Sequence, residues 1–239
     1  MKQAFFRFAR CAVLLMFVAG VALTRPWELL PGHWKPWAPL RLDDPPTVIT
    51  LGKLAELQQQ PEACLAVLRT ASEGALEYVP LEDYTPVDTC PLTNVVRVSG
   101  TGLEFSAPVT LSCPLIVRWL MFERQALQPL ALQHVGSPVT RIEHYGSFAC
   151  RNVYGRATGR RSEHATASAF DVAAFEFEGG DVATVLGDWD ADDAPDKSAF
   201  LKELHGAACR YFGAVLGPEY NQPHENHFHL DTGRFNICR

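Results

Sequence analysis

Six cysteines, Cys64, Cys90, Cys113, Cys150, Cys209 and Cys238, follow an N-terminus that reads as an export segment, and this pairing constrains the fold most. Residues 1–10 carry Lys2, Arg7 and Arg10 and no acid, and residues 11–23 are an unbroken apolar run. A positive stretch followed by an apolar stretch of this length is the secretory pattern. An even set of cysteines in an oxidising compartment is expected to be disulfide-bonded. Six cysteines allow fifteen pairings, and nothing in the sequence chooses among them. None of the six forms a C-x-x-C pair, which speaks against a thiolate metal site. Cys11, the seventh, lies in the apolar run.

No A-x-A site follows Leu23, and the apolar run is short of the ~20 residues of a full span. Counting Ala4, Phe5, Phe6 and Phe8, with Arg7 and Arg10 reaching to the interface, brings it close. Trp27, Trp34 and Trp37 follow, as in an interfacial aromatic belt. The chain therefore reads as a signal or membrane anchor over 1–24: uncleaved, it would hold a periplasmic domain at the inner membrane with its basic end cytoplasmic, and cleaved, it would leave the domain secreted. A Pro/Trp-rich extended tether covers 25–47 and a domain covers 48–239. The net charge of −6 and the absence of a dominant basic patch argue against a nucleic-acid partner.

Within the domain, Leu54, Leu57, Leu65 and Leu68 predict a helix over 51–70 that Pro61 splits. Residues 94–106 predict a hairpin turning at Ser99-Gly100-Thr101-Gly102. A second helix is expected over 113–133, with Pro114 near its start. Strands are expected over 138–149 and 170–177. A helix over 197–215, capped by Asp196 and stopped by Gly217-Pro218, carries a core stripe of Phe200, Leu204, Ala207, Ala208, Tyr211, Phe212 and Val215.

Two motifs carry chemistry. In the first, His164 and Asp171 stand seven residues apart, with small residues Ala165, Ala167, Ser168 and Ala169 between them. Imidazole and carboxylate are both zinc donors. A strand would hold the two apart, whereas a loop feeding a strand folds them onto one ion. In the second, His224, His227 and His229 fall within six residues, out of eight histidines in the chain. In a strand, residues two apart share a face, so His227 and His229 point together with Phe228 turned to the core. Two imidazoles on one face suit a metal and a proton-handling neighbour. His33, His134 and His205 read as surface or core residues.

The pattern S-x-H-x-x-x-x-A-x-D followed by H-x-H resembles the LAS group of zinc peptidases, which includes lysostaphin-type enzymes, D-Ala-D-Ala metallopeptidases and the hedgehog signalling domain. Cys150-Arg151-Asn152, the run from Arg161 to Ala165 and the ending from His227 to Asp231 resemble most the bacterial extensin-like C-terminal domain family, over roughly residues 60–239. The resemblance implies a compact α+β domain of the hedgehog/D-Ala-D-Ala-peptidase kind, with a central antiparallel sheet and flanking helices. It implies zinc held by His164, Asp171 and His229, with His227 the metal-adjacent catalytic residue. His224 resembles the extra active-site histidine of the penicillin-insensitive murein endopeptidase branch. An exported enzyme of this group is expected to cleave an amide in peptidoglycan peptides. The alternative is a zinc-containing envelope module that binds without turnover, and a third reading is an envelope protein held by its cysteines alone.

The chain departs from the wider group in two places. Ala167 stands where the commoner pattern has Gly, which matters only where that position needs a positive φ. Asn226 stands where the dipeptidase branch has its general-base Glu, so the base role passes to His227, with Glu225 a lesser candidate. Ser162 either fixes His164 or is a turn hydroxyl. Arg151, Arg156, Arg160 and Arg161 precede the site and either grip a substrate carboxylate or form a solvated loop. Arg161, next to the motif, is the first choice for substrate binding, with Arg151 second.

Overall fold

The sheet is built outward from the hairpin. In the computed structural model, which describes residues 7, 10, 13–16, 19, 20, 23–71 and 75–239, strands β1 (Glu77–Pro80), β2 (Tyr84–Val87) and β3 (Cys90–Leu92) precede the hairpin strands β4 (Val95–Gly100) and β5 (Glu104–Ser112). Gly102, at φ +85, makes the turn between them. After these come β6 (Val139–Gly146), β7 (Ala169–Phe177), β8 (Val182–Thr184), β9 (Ala214–Leu216), β10 (Phe228–Asp231) and β11 (Ile237–Cys238). The main sheet runs β1-β4-β5-β6-β7-β10-β9-β11, with β8 also on β7 and β2-β3 a separate pair. Its pairings are antiparallel except β5 with β6 and β9 with β11. The architecture is α+β, as expected.

Pro61 does split the first helical segment, into α1 (Val48–Glu56) and α2 (Pro61–Leu68). The segment expected as one helix over 113–133 is α3 (Cys113–Phe122), a π turn (Glu123–Leu127) and α4 (Gln128–His134). Pro129, which has no N–H to donate, opens the last piece, and the wider turn before it absorbs the interruption. After the short α5 (Val185–Asp188), α6 spans Pro195–Ala208 and so ends earlier than expected. The chain must turn there because Gly213 lies against the Gly233 carbonyl with no room for a Cβ. Val215 therefore sits in β9 rather than on the helix. Asp196 lies in the first turn rather than at the cap, which is Ala194.

One core joins helices and sheet. Trp119, Phe122, Phe170, Phe175, Phe177, Phe200 and Phe228 are fully buried in it. Trp119 packs edge-on against Phe170, and Phe228 against Trp189. On β7 and β10 this leaves Asp171 and His229 for the opposite face. Inside the π turn Glu123 is buried, accepting a bond from the Thr101 hydroxyl and one from Trp119 Nε1 at 2.9 Å. Burial pushes its carboxyl up to about 7 despite those donors.

There are three disulfides: Cys64–Cys113, buried in the core, and Cys90–Cys150 and Cys209–Cys238. The segment read as an extended tether docks on the domain instead. Pro26–Leu29 and Gly32–Trp34 form tight turns, Leu40 and Leu42 are buried, and Gln125 Nε2 holds the Leu42 and Asp44 carbonyls at 2.8 and 3.1 Å. The anchor read over 1–24 falls largely outside the described residues, as does Cys11. Among the described residues no helix is long and apolar enough to cross a membrane.

Candidate functional site

Register places the first two groups. On neighbouring antiparallel strands His229 of β10 stands directly opposite Asp171 of β7, so their side chains share one face at contact distance. His164 arrives from a 3-10 turn, Glu163–Thr166, immediately before β7. Ser162 Oγ caps that turn, accepting from the His164 N–H at 3.3 Å. Ala167 ends it in the left-handed region, at φ 53 and ψ 30. This reversal folds His164 back over the strand and explains how a seven-residue spacing brings imidazole and carboxylate together. Position 167 is thus one that needs a positive φ, and Ala adopts it.

The three groups converge. His164 Nε2 lies 3.1 Å from His229 Nδ1 and 3.3 Å from Asp171 Oδ2, and His229 Nδ1 lies 3.0 Å from Asp171 Oδ1. Each ring spends its outer N–H elsewhere. His164 Nδ1 donates to the Ser147 carbonyl at 2.6 Å, and His229 Nε2 donates to Asp231 Oδ2 at 3.2 Å. Both inward nitrogens then carry lone pairs, aimed at each other and at a carboxylate. Two nitrogens and one carboxylate oxygen this close together are a donor set that fits zinc. Without an ion, a proton takes that place. Burial alone would lower the His229 pKa, but Asp171 and Asp231 outweigh it and lift it to about 9. For Asp171 burial is again opposed, and the His164 and His229 bonds hold its carboxyl well below the usual range. His205, Cys209 and Cys238 also lie close together, but their sulfurs are joined as a disulfide and are not free ligands.

A cavity of about 420 Å³ opens beside the triad. His224 and His227 line it, their rings 5.2 Å apart. His227 Nδ1 donates to Asn226 Oδ1 at 2.8 Å, and His224 Nδ1 to Asn221 Oδ1 at 2.6 Å. Each Nε2 is left without that proton, and His227 Nε2 lies 3.6 Å from Asp171 Oδ1, whose charge partly opposes the lowering of its pKa. Burial lowers the pKa of both, with the neighbouring histidines adding to the effect, and His224 falls to about 4.

Of the basic cluster, Arg151 and Arg160 line the cavity and Arg161 does not. Arg161, the first choice for substrate binding, instead donates to Thr89 Oγ1, and the structure does not bring it to the cavity. Arg160 and Ser162, on either side of Arg161, do line the cavity. Arg160 is engaged with Glu163 at 3.0 Å and lies 4.5 Å over the Phe235 ring. Ser162 acts on the backbone of His164 and leaves its ring to Ser147. Several groups escaped the sequence reading: the Ser147 carbonyl, Asp231, Asn221, Tyr154, Tyr220 and Phe235. Asp231 was findable, since it stands two residues beyond His229 on the same strand and so on the same face. The others come from loops with no periodicity.

The family described as extensin-like protein C-terminus matches residues 62–239. No curated protein and no solved structure matches.

Proposed function

The chain belongs to the extensin-like protein C-terminus family, and on that premise we propose that it is an exported, zinc-dependent hydrolase cleaving an amide in peptidoglycan stem peptides or their cross-links. The observation that carries this is the pair of inward lone pairs of His164 and His229 beside the Asp171 carboxylate. It is supported by the resemblance of the two motifs to those of the LAS zinc peptidases. His164, Asp171 and His229 would hold the zinc, which when bound would supply Lewis acidity, lowering the pKa of a water towards ~7 and polarising a substrate carbonyl.

The chain's own groups do the rest. His227, held at Nδ1 by Asn226, accepts the proton of the attacking water at Nε2 and returns it to the leaving amine. Asn226, unable to act as a base itself, fixes which nitrogen of His227 is free. His224 stacks against His227 and, tied to Asn221, keeps a second lone pair toward the cavity. Arg160 is already paired, so Arg151 is the guanidinium left to meet a substrate carboxylate. Three disulfides support an oxidising compartment such as the periplasm. In this reading the N-terminal segment holds the domain at the inner membrane.

The test is zinc content and cleavage of purified peptidoglycan, comparing wild type with His229→Ala and His227→Ala. About one zinc per chain that is lost in His229→Ala, with His227→Ala keeping zinc but not cleavage, is the expected result. Zinc without cleavage in wild type would overturn hydrolysis in favour of a zinc-containing envelope-binding module.

A further inference from the structure

The cavity is bridged. Tyr154 and Gly155 of the loop 151–161 and Tyr220, Pro223 and His224 of the loop 217–226 line the same space. The first loop is stapled at its base. Cys150 is bonded to Cys90, Ser162 N donates to the Arg151 carbonyl at 3.1 Å, and Val153 N donates to the Arg160 carbonyl at 3.0 Å. At its tip stands Tyr154, with φ 58 and ψ 23, followed by Gly155 at φ +65. A bulky L-residue adopts left-handed backbone only at a cost, so something on the far side must hold it. That partner is Tyr220, whose hydroxyl lies 2.5 Å from the Tyr154 hydroxyl. Arg156 covers the Tyr154 ring at 5.6 Å, and Asn152 Nδ2 pins the tip to the Arg156 carbonyl at 2.8 Å. Tyr220 in turn sets its ring edge-on against His224, 5.4 Å between centroids. Tyr154 is nonetheless 52% exposed, so burial does not lock it there.

We propose that Tyr154 and Tyr220 form a latch across the cavity that selects substrates by whether they end inside it. The inference rests on the hydrolase reading above and narrows its substrate class. With the hydroxyls joined, a peptide terminus enters from the open side. A chain that continues in both directions, as a cross-link does, must lie where the bond runs and so needs the latch open. The selecting element is thus one hydrogen bond between side chains, remote in sequence and outside the metal-type triad.

The experiment uses the full chain with its zinc and the variants Tyr154→Phe and Tyr220→Phe, each of which keeps the ring and removes one hydroxyl. Two quantities are read. Amide hydrogen exchange over 152–160, measured without substrate, is expected to quicken about tenfold in either variant, the scale of one net hydrogen bond. The double variant is expected to go no further, since both substitutions remove the same bond. Cleavage is then compared between a soluble uncross-linked stem peptide and a cross-linked dimer. The variants are expected to raise kcat/KM for the dimer about tenfold, chiefly through KM, and to change it less than threefold for the single peptide. Unchanged exchange, or equal changes on both substrates, overturns the latch. Failure of the wild type to cleave either substrate sinks the hydrolase reading instead, and exchange over 152–160 then decides by itself whether the latch exists.

Discussion

Replacing Glu123 by Gln should make the domain more tolerant of alkaline pH. Glu123 is buried in the π turn beside Thr101 and Trp119, and its carboxyl is pushed from 4.5 to about 7. The folded state therefore holds this proton more tightly than the unfolded chain. The stability it contributes is fully present below pH 4.5 and is lost as pH rises through about 7. The separation of the two values corresponds to about 3 kcal/mol, most of it lost between about pH 5 and pH 8. Gln keeps an oxygen to accept from Thr101 Oγ1 and Trp119 Nε1 and has no proton to lose. Thermal unfolding followed by circular dichroism at pH 5 and pH 8 measures the difference. The wild-type Tm should fall by roughly 5–10 °C more than that of Glu123→Gln, at a few degrees per kcal/mol for a domain of this size. Parallel pH profiles would refute the reasoning, because every other titrating group is common to both proteins.

Asp231→Asn should weaken zinc binding by roughly 10–100-fold, read by chelator competition. Asp231 Oδ1 accepts the Gly233 N–H at 2.8 Å, so the Asn oxygen stays there. Its NH₂ then faces His229 Nε2 and drives the proton to Nδ1, where the lone pair is needed, and unchanged affinity would contradict this. Cys209→Ala with Cys238→Ala opens a crosslink of sequence separation 29 and should cost about 3–4 kcal/mol in urea unfolding. Ala167→Gly should change stability by less than about 1 kcal/mol, since relief of the left-handed backbone offsets the lost methyl and the entropy of Gly. Ala167→Val, with a branched side chain forced to the same positive φ, should cost more than about 2 kcal/mol. Equal Tm values for these two variants would show that the backbone at 167 is unstrained.

Much of the fold was legible because its signals are local. The hairpin over 94–106 is announced by a glycine turn between apolar alternations, and the break at Pro61 by the missing N–H. His227 and His229 both line the cavity, as expected, with Phe228 going to the core, although His227 stands at the bend just before the strand Phe228–Asp231. Where a contact distant in sequence decided the outcome, the reading failed. The helix over 195–208 stops short because Gly213 meets Gly233 from the chain's end, and no periodicity reports that encounter. The segment 25–47, Pro-rich and so read as extended, docks because Gln125 in the π turn takes its carbonyls.

At the site the division is the same. Residue chemistry marks His164, Asp171 and His229 as groups able to hold a metal, and alternation along a strand puts residues two apart on one face. Only tertiary structure sets the His229–Asp171 register, turns the chain back at Ala167 and aims Ser147 and Asp231 at the outer nitrogens. It also pairs the cysteines and sends Arg161 away while Arg151 lines the cavity. The reason is physical: a side chain's chemistry belongs to the residue, but which lone pair it presents depends on the group that takes its other proton, and that group arrives from elsewhere in the chain.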